Sequence, residues 1–214
     1  MKIISSAALP MGFIALLAGL SACVSVERSF PEKRFYLLDV SRPETAAASS
    51  RGPLLRVRKL RVSPRYEGKG FVYRLGDLRY ESDFYNEFLI APGPLLTEEV
   101  YQWLVGSGLF QHVTDTTSPL ELTYILEGTV SVLYGDYRNR ASSAAALRMQ
   151  FALVRDVSAR TEIVFQKQYA KKVGIREASS EALVNGWNEA LRQILKALES
   201  DLSKINFKKG PDPR

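Results

Sequence analysis

The sequence predicts an α/β (α+β) fold, with a single mixed, largely antiparallel sheet and two packed helices, the C-terminal one long and amphipathic. Three long segments, residues 120–134, 144–154 and 162–171, alternate apolar and polar side chains with a period of two. The last long segment repeats apolar residues at spacings of three and four, which is typical of a helix with one buried face. A glycine-proline pair in the middle of the chain opens a second helical segment.

The first part of the chain predicts short strands at residues 34–40, 54–62, 71–75 and 84–90. The apolar phase shifts within the second strand, because Leu55 and Val57 share one parity and Leu60 has the other. A bulge near Arg58-Lys59 would reconcile the two halves. A loop rich in proline, serine and alanine separates the first two strands.

The middle and C-terminal parts of the chain predict both helices and the meander. The first helix covers residues 95–105, and Thr97 is positioned to cap it. A short strand at 110–113 follows, and the three alternating segments then predict an antiparallel meander with one buried face. Ser179 or Ser180 caps the final helix. Its apolar stripe consists of Leu183, Trp187, Ala190, Leu191, Ile194, Leu198, Leu202 and Ile205.

The N-terminal residues have the layout of a secretory signal peptide, predicted to cover residues 1–22. One lysine precedes an uncharged apolar stretch that ends in small side chains. The stretch Leu20-Ser21-Ala22-Cys23 resembles the bacterial lipobox, whose cysteine carries a diacylglycerol. The resemblance implies cleavage between Ala22 and Cys23 and lipid attachment at Cys23, the alternative being an incidental cysteine. Val24 follows, which by the same resemblance favours the outer membrane of a Gram-negative bacterium, on its periplasmic face.

The remaining chain predicts one domain, at residues 33–207, between two flexible ends. A lipidated tether covers residues 23–32, and its nine residues after the cysteine reach only about 30 Å when extended. A basic tail at 208–214 is expected to be loose. Because Cys23 is the only cysteine in the sequence, the domain has no intramolecular disulfide, and its core alone must hold the fold.

The sequence carries no recognisable active-site motif. Its one histidine, His112, has no second histidine or cysteine beside which it could form a metal site or a catalytic dyad. A phosphate-binding glycine loop and a nucleophile elbow are both missing from the sequence. We therefore predict a protein that is not an enzyme and that has no cofactor. The basic run Arg56-x-Arg58-Lys59-x-Arg61 is interpreted as a solvated strand face, because a nucleic-acid partner is improbable for an exported chain.

Residues 80–88 form the densest aromatic stretch of the chain. Its side chains Tyr80, Phe84, Tyr85 and Phe88 are the candidate partner surface, since tyrosine is enriched at interfaces. A core role is the competing interpretation, because Phe84 and Phe88 share the same strand parity. Two neighbouring aromatic residues that point in opposite directions are difficult to bury together, so both interpretations stay open.

A series of segments follows the lipobox: Phe35-Tyr36-Leu37-Leu38, the basic strand LLRVRKLRVSPRYEGKGFVYRLGD, the stretch YESDFYNEFLIAPGPLLTEEVYQWL and an amphipathic C-terminal helix. In this order they resemble the ABC-type transport auxiliary lipoprotein family. Its members are outer-membrane lipoproteins that accompany MCE-domain lipid transport systems, including the paraquat-inducible type. The resemblance implies an auxiliary, non-enzymatic component that docks an MCE-domain protein at the outer membrane. Phospholipid binding and homo-oligomerisation remain open.

Two other classes of lipoprotein remain as alternatives. The first is a regulator of envelope assembly, which would activate a peptidoglycan synthase or support lipopolysaccharide assembly. The short tether favours instead a domain that is held close to the membrane. The second is a structural lipoprotein without a partner.

Overall fold

The computed structural model describes residues 32–40, 42, 52–114, 124–157 and 160–207. Ala22, Cys23 and the remaining signal-peptide residues lie outside this part of the chain, as do nearly all of the predicted tether and the tail 208–214. From Lys33 onward the described residues belong to one structural unit.

Nine strands and two helices account for most of the described residues, and they confirm the predicted fold class. The helices are α1 (Pro92–Val105) and α2 (Ser180–Leu202). The strands are β1 (Arg34–Tyr36), β2 (Leu54–Val57), β3 (Arg61–Val62), β4 (Gly70–Arg74), β5 (Tyr80–Phe88), β6 (His112–Thr114), β7 (Tyr124–Asp136), β8 (Ala144–Val157) and β9 (Arg160–Gly174).

Strand β7 organises the sheet. Along one edge it pairs antiparallel with β8, and β8 pairs antiparallel with β9, which confirms the predicted meander. Along its other edge β7 pairs in parallel with β2, β3 and β4 in turn. Strand β6 continues the sheet beyond β2, while β5 and then β1 continue it beyond β4. A strand of 13 residues is long enough to hold three short partners end to end.

The predicted bulge near Arg58-Lys59 is confirmed by the pairing register. Val57 pairs with Leu126 and Arg61 pairs with Thr129, so the β2–β3 side uses one residue more than β7 over the same interval. The extra residue reverses the parity of the strand. The apolar side chains on both sides of the bulge can therefore point into one core, in which Leu55, Val57 and Leu60 are buried.

Helix α1 begins earlier than the sequence predicts, at Pro92, and the prediction that Thr97 caps it is wrong. Ala91 occupies the N-cap position and makes no side-chain capping hydrogen bond. The Thr97 hydroxyl donates to the Gly93 carbonyl oxygen at 2.7 Å and accepts from the backbone N–H of Leu60 at 2.9 Å. Thr97 therefore joins the helix to the residue before β3.

Helix α2 has the cap and the stripe that the sequence predicts. The Ser179 hydroxyl accepts a hydrogen bond from the backbone N–H of Ala182 at 3.2 Å. The stripe is buried from Leu183 to Leu202, whereas Ile205 is partly buried. Near the helix end, Asp201 accepts from Lys167 at 2.6 Å and from Tyr169 at 2.8 Å, which ties α2 to β9. Among the described residues, neither helix is long and apolar enough to cross a membrane.

Four aromatic rings pack where α2 meets β1, β4 and β5. The Phe71 ring centroid lies 5.2 Å from that of Tyr36, 4.8 Å from that of Phe88 and 5.1 Å from that of Trp187. The Phe88 and Trp187 centroids are 5.5 Å apart. Phe71 and Trp187 are fully buried, and Phe88 is 2% exposed. This aromatic group fixes the position of β5, and with it the candidate surface.

Candidate partner surface

Strand β5 contains a bulge that was not predicted from the sequence. It starts at Tyr80, earlier than predicted, and pairs with β4. Gly70 pairs with Glu87 and Val72 with Ser82, so two steps along β4 correspond to five steps along β5. Three extra residues therefore leave the regular ladder within residues 83–86, which we call the β5 bulge. An odd number of extra residues reverses the alternation of side chains between the two faces.

The carboxylate of Asp83 holds the β5 bulge together. Its Oδ1 accepts from the backbone N–H groups of Tyr85 at 2.7 Å and Asn86 at 3.0 Å. Its Oδ2 accepts from the Tyr73 hydroxyl at 2.6 Å and from Asn86 Nδ2 at 2.8 Å. Burial acts to raise the pKa of Asp83, but these hydrogen bonds outweigh it and keep the pKa below its usual value. Burial and the bond to Asp83 raise the pKa of Tyr73.

The β5 bulge presents Phe84 and Tyr85 to solvent. Phe84 is 68% exposed and Tyr85 is 41% exposed. Their rings are perpendicular, with centroids 5.3 Å apart. Lys33 Nζ lies 4.5 Å from the Phe84 ring centroid and also pairs with Glu87 at 3.3 Å. Two neighbouring aromatic side chains, braced by a hydrogen-bonded backbone, have the composition and pre-organisation of an interface anchor.

Tyr80 is exposed at the other end of β5. Its ring is perpendicular to that of Tyr134, with centroids 5.8 Å apart. The Arg74 guanidinium lies 5.6 Å from the Tyr80 ring centroid, while its nitrogen atoms donate to the carbonyl oxygens of Gly76 and Asp77. Tyr80 is 43% exposed and is therefore available to a partner.

Phe88 does not belong to the surface, and its inclusion in the candidate partner surface is wrong. It is 2% exposed and packs between Phe71 and Trp187. The sequence places Phe84 and Phe88 on one face because they are four residues apart, but the β5 bulge between them separates their environments.

The neighbouring segments carry further exposed apolar residues, which were not predicted from the sequence. Phe35 on β1 is 54% exposed, and Leu37 and Leu89 are 48% and 47% exposed. Leu37 and Phe35 alternate with the more buried Tyr36 and Leu38, but all four side chains are apolar, so the sequence gives no alternating signal that separates them. Leu78 and Ile90, which flank β5, are exposed as well, at 97% and 42%.

A separate cluster of charged residues lies at the C-terminal end of β7. Asp136, which is 4% exposed, accepts from Arg138 at 2.9 Å and pairs with Lys172 at 2.9 Å. Arg138, and with it Lys172, lowers the pKa of Asp136 well below its usual value. These two contacts are to Oδ2, and Arg138 Nε donates to Oδ1 at 3.0 Å, so both carboxylate oxygens are satisfied and the end of β7 is joined to β9. Within the part of the chain that the structure describes, we find no group of three or more histidine, cysteine or acidic side chains that could hold a metal ion.

Comparison with known proteins identifies the fold. No family model and no curated protein matches this chain. A crystal structure of a Xanthomonas campestris protein of the family DUF330 matches with a TM-score of 0.68 and 16% sequence identity, covering 79% of this chain and 95% of that one. The two chains share a fold. A second crystal structure, of an uncharacterized protein, matches with a TM-score of 0.62 and 17% identity, covering 80% of this chain and 99% of that one.

Proposed function

We propose that this protein is a lipid-anchored, non-enzymatic auxiliary component of an ABC-type MCE lipid transport system. In this proposal the anchor is a lipid on Cys23, and the domain lies on the periplasmic face of the outer membrane. There it docks the MCE-domain protein that carries lipid between the membranes. The lipobox-like residues 20–23 and the sequence resemblance to the ABC-type transport auxiliary lipoproteins support the proposal.

The observation that carries the docking role is the exposed pair Phe84 and Tyr85. An aromatic side chain that is left in water forgoes the stabilisation that its burial would give, roughly 1.5–3 kcal/mol for a phenylalanine. Here Asp83 holds two such side chains outward through four hydrogen bonds. Aromatic residues of this kind supply much of the binding energy at protein interfaces. Tyr80 is exposed on the same strand. We call Tyr80, Phe84 and Tyr85 together the docking surface.

The test of the proposal is a gentle affinity purification of the full-length protein from membranes, with mass spectrometry of the proteins and lipids that accompany it. We expect an MCE-domain protein together with its permease and ATPase. Recovery of a peptidoglycan synthase or a lipopolysaccharide assembly component, without an MCE protein, would support the envelope-assembly alternative instead.

Variants of the docking surface make the same experiment quantitative. We expect Phe84→Ser and Tyr85→Ser each to reduce recovery of the MCE-domain protein by about ten-fold or more. Ile163→Ser is the matched control, because Ile163 is 61% exposed on β9 at the opposite edge of the sheet. Equal recovery with all three variants would contradict the docking role of the β5 bulge.

The anchor has its own test. We expect Cys23→Ser to leave the domain folded but to remove it from the outer-membrane fraction. A Cys23→Ser protein that remains in that fraction would contradict the lipid anchor.

A further inference from the structure

Arginine side chains from the segments beside β7 form a line on the face of the sheet opposite its buried core. Leu126 and Val130 of β7 point into the core. Glu127 and Thr129 alternate with them and therefore lie on the opposite face. Arg58 pairs with Glu127, and Arg61 lies opposite Thr129.

Arg148 of β8 extends this line. The pairing register shifts between Val130 and Val132, which reverses the alternation along β7, so Val132 and its partner Arg148 lie on the same face as Thr129. We call Arg58, Arg61 and Arg148 the arginine strip. From the level of Glu127 to that of Val132 it follows about 17 Å of β7, at roughly 3.3 Å per residue, and Tyr134 lies two residues beyond its end. Tyr134 is the residue on which Tyr80 packs, so the strip runs directly into the docking surface.

Two arginines of the strip have no charged partner among the described residues. Arg58 is neutralised by Glu127, but Arg61 and Arg148 are exposed and form no ion pair with any residue that the structure describes. The next residues across the strands from Thr129 are uncharged, since β8 and β9 place Gln150 and Gln168 there. The face therefore offers two unpaired guanidinium groups among amide and hydroxyl groups.

The helix layer carries the opposite charge. Helix α1 contains Glu98 and Glu99 and no basic residue. Helix α2 contains four acidic residues and two basic ones, namely Glu181, Glu189, Glu199 and Asp201 against Arg192 and Lys196. All four acidic residues of α2 form ion pairs, whereas Arg61 and Arg148 form none with the described residues, so the strip is the face that attracts an acidic partner.

We infer that the arginine strip binds an acidic protein surface, and that this surface belongs to the partner held by Tyr80, Phe84 and Tyr85. The inference rests on the proposed function and adds the chemistry of the partner: carboxylate side chains beside an apolar patch. A guanidinium binds a carboxylate through two parallel N–H···O bonds, which requires donors at fixed positions. The paired strands fix the backbone positions of Arg61 and Arg148, and so the spacing from which their guanidinium groups reach a partner.

A protein surface fits the strip better than an anionic membrane does. Each basic residue near an anionic bilayer strengthens binding only about five-fold, so two unpaired arginines recruit weakly. A bilayer also presents a fluid array of headgroups, to which the fixed spacing along β7 gives no advantage. Opposite a folded acidic protein, the same two arginines accelerate association and set the orientation of the complex.

The test compares two double variants of the full-length lipidated protein in nanodiscs. Arg61→Glu/Arg148→Glu reverses the two unpaired charges of the strip. Arg176→Glu/Lys196→Glu makes the same change in net charge at exposed sites before and within α2. The measured quantity is the association rate with the MCE-domain protein at about 0.05 M and about 0.5 M salt. Thermal unfolding followed by circular dichroism is used to check that both variants are folded.

We expect the strip variant to associate about ten-fold more slowly than the unsubstituted protein at low salt, with the gap closing at high salt. The control variant is expected to associate at the unsubstituted rate. Equal rates for the two variants would contradict the inference and leave the proposed function intact. If the unsubstituted protein does not bind the MCE-domain protein at all, the proposed function fails and this inference with it.

A second measurement separates protein from lipid. Cys23→Ser forms of the unsubstituted protein and of both variants, which carry no lipid, are incubated with vesicles made of equal parts phosphatidylglycerol and phosphatidylcholine, and vesicle binding is measured by flotation. We expect little binding and no difference between the variants. If the strip variant loses vesicle binding while it keeps its association rate with the MCE-domain protein, the strip is a site for lipid headgroups and the inference is overturned.

Discussion

Replacing Phe88 with alanine tests whether the end of β5 belongs to the core. The Phe88 ring is 2% exposed and lies 4.8 Å from the Phe71 centroid and 5.5 Å from the Trp187 centroid. Because the ring is buried between two packed aromatic side chains, the variant loses the burial of the ring and leaves a cavity. Substitutions of this kind cost about 3–5 kcal/mol. In a domain of this size the melting temperature should fall by roughly 6–20 °C.

The assay is thermal and urea unfolding of the full chain, followed by far-UV circular dichroism, with Phe84→Ala as the matched control. Phe84 is the same residue type on the same strand but is 68% exposed. Its removal should change the free energy of unfolding by less than about 1 kcal/mol. Equal losses from both variants, or an unchanged melting temperature for Phe88→Ala, would refute the assignment of Phe88 to the core and the β5 bulge that produces it.

Three further predictions concern the residues that hold the fold. Asp83→Ala should lower the free energy of unfolding by about 1–3 kcal/mol and speed hydrogen exchange of the Tyr85 and Asn86 amides, which donate to Asp83. Unchanged exchange of these two amides would contradict this prediction. The hydrogen bonds that Lys167 and Tyr169 donate to Asp201 lower its pKa to about 2, against about 3.9 in the unfolded chain. Its stabilisation is therefore complete above pH 4 and lost as the pH falls towards 2. Asp201→Asn should lower stability by about 1–2 kcal/mol at pH 7, and a difference that persists at pH 2 would count against the ion pair. Gly186→Ala places a methyl group 2.7 Å from the Ala145 side chain, so urea unfolding should show a loss of about 1–3 kcal/mol rather than the gain that helix propensity alone predicts.

The long elements of this protein could be predicted because their signals are local. The stripe of α2 repeats along one helix, and the alternation of β7, β8 and β9 repeats along each strand, so neighbouring residues are sufficient to specify them. The bulge at Arg58-Lys59 was also predictable, since the change of apolar parity lies within a single stretch of nine residues. The start of α1 was harder to predict from the sequence, because the N-cap residue Ala91 has no capping side chain.

Segment 80–88 shows where local patterns stop being sufficient. Phe84 and Phe88 share a parity in the sequence, yet one is 68% exposed and the other 2%. Their separation depends on how β5 pairs with β4 and on the hydrogen bond from Tyr73 to Asp83. The sequence of one strand does not reveal a bulge, because a bulge is a difference in residue count between two paired strands.

By itself the sequence determined the fold class, the long helix, the meander and the lipobox-like motif at Cys23, since each of these is encoded in a short window of side chains. Only the tertiary structure decided which aromatic residues of segment 80–88 reach the surface, and only it aligned Arg61 with Arg148. The physical reason is that strand register is set by pairing between segments that are far apart in the chain. Shifting that register by one residue would exchange the buried and exposed faces of the whole strand.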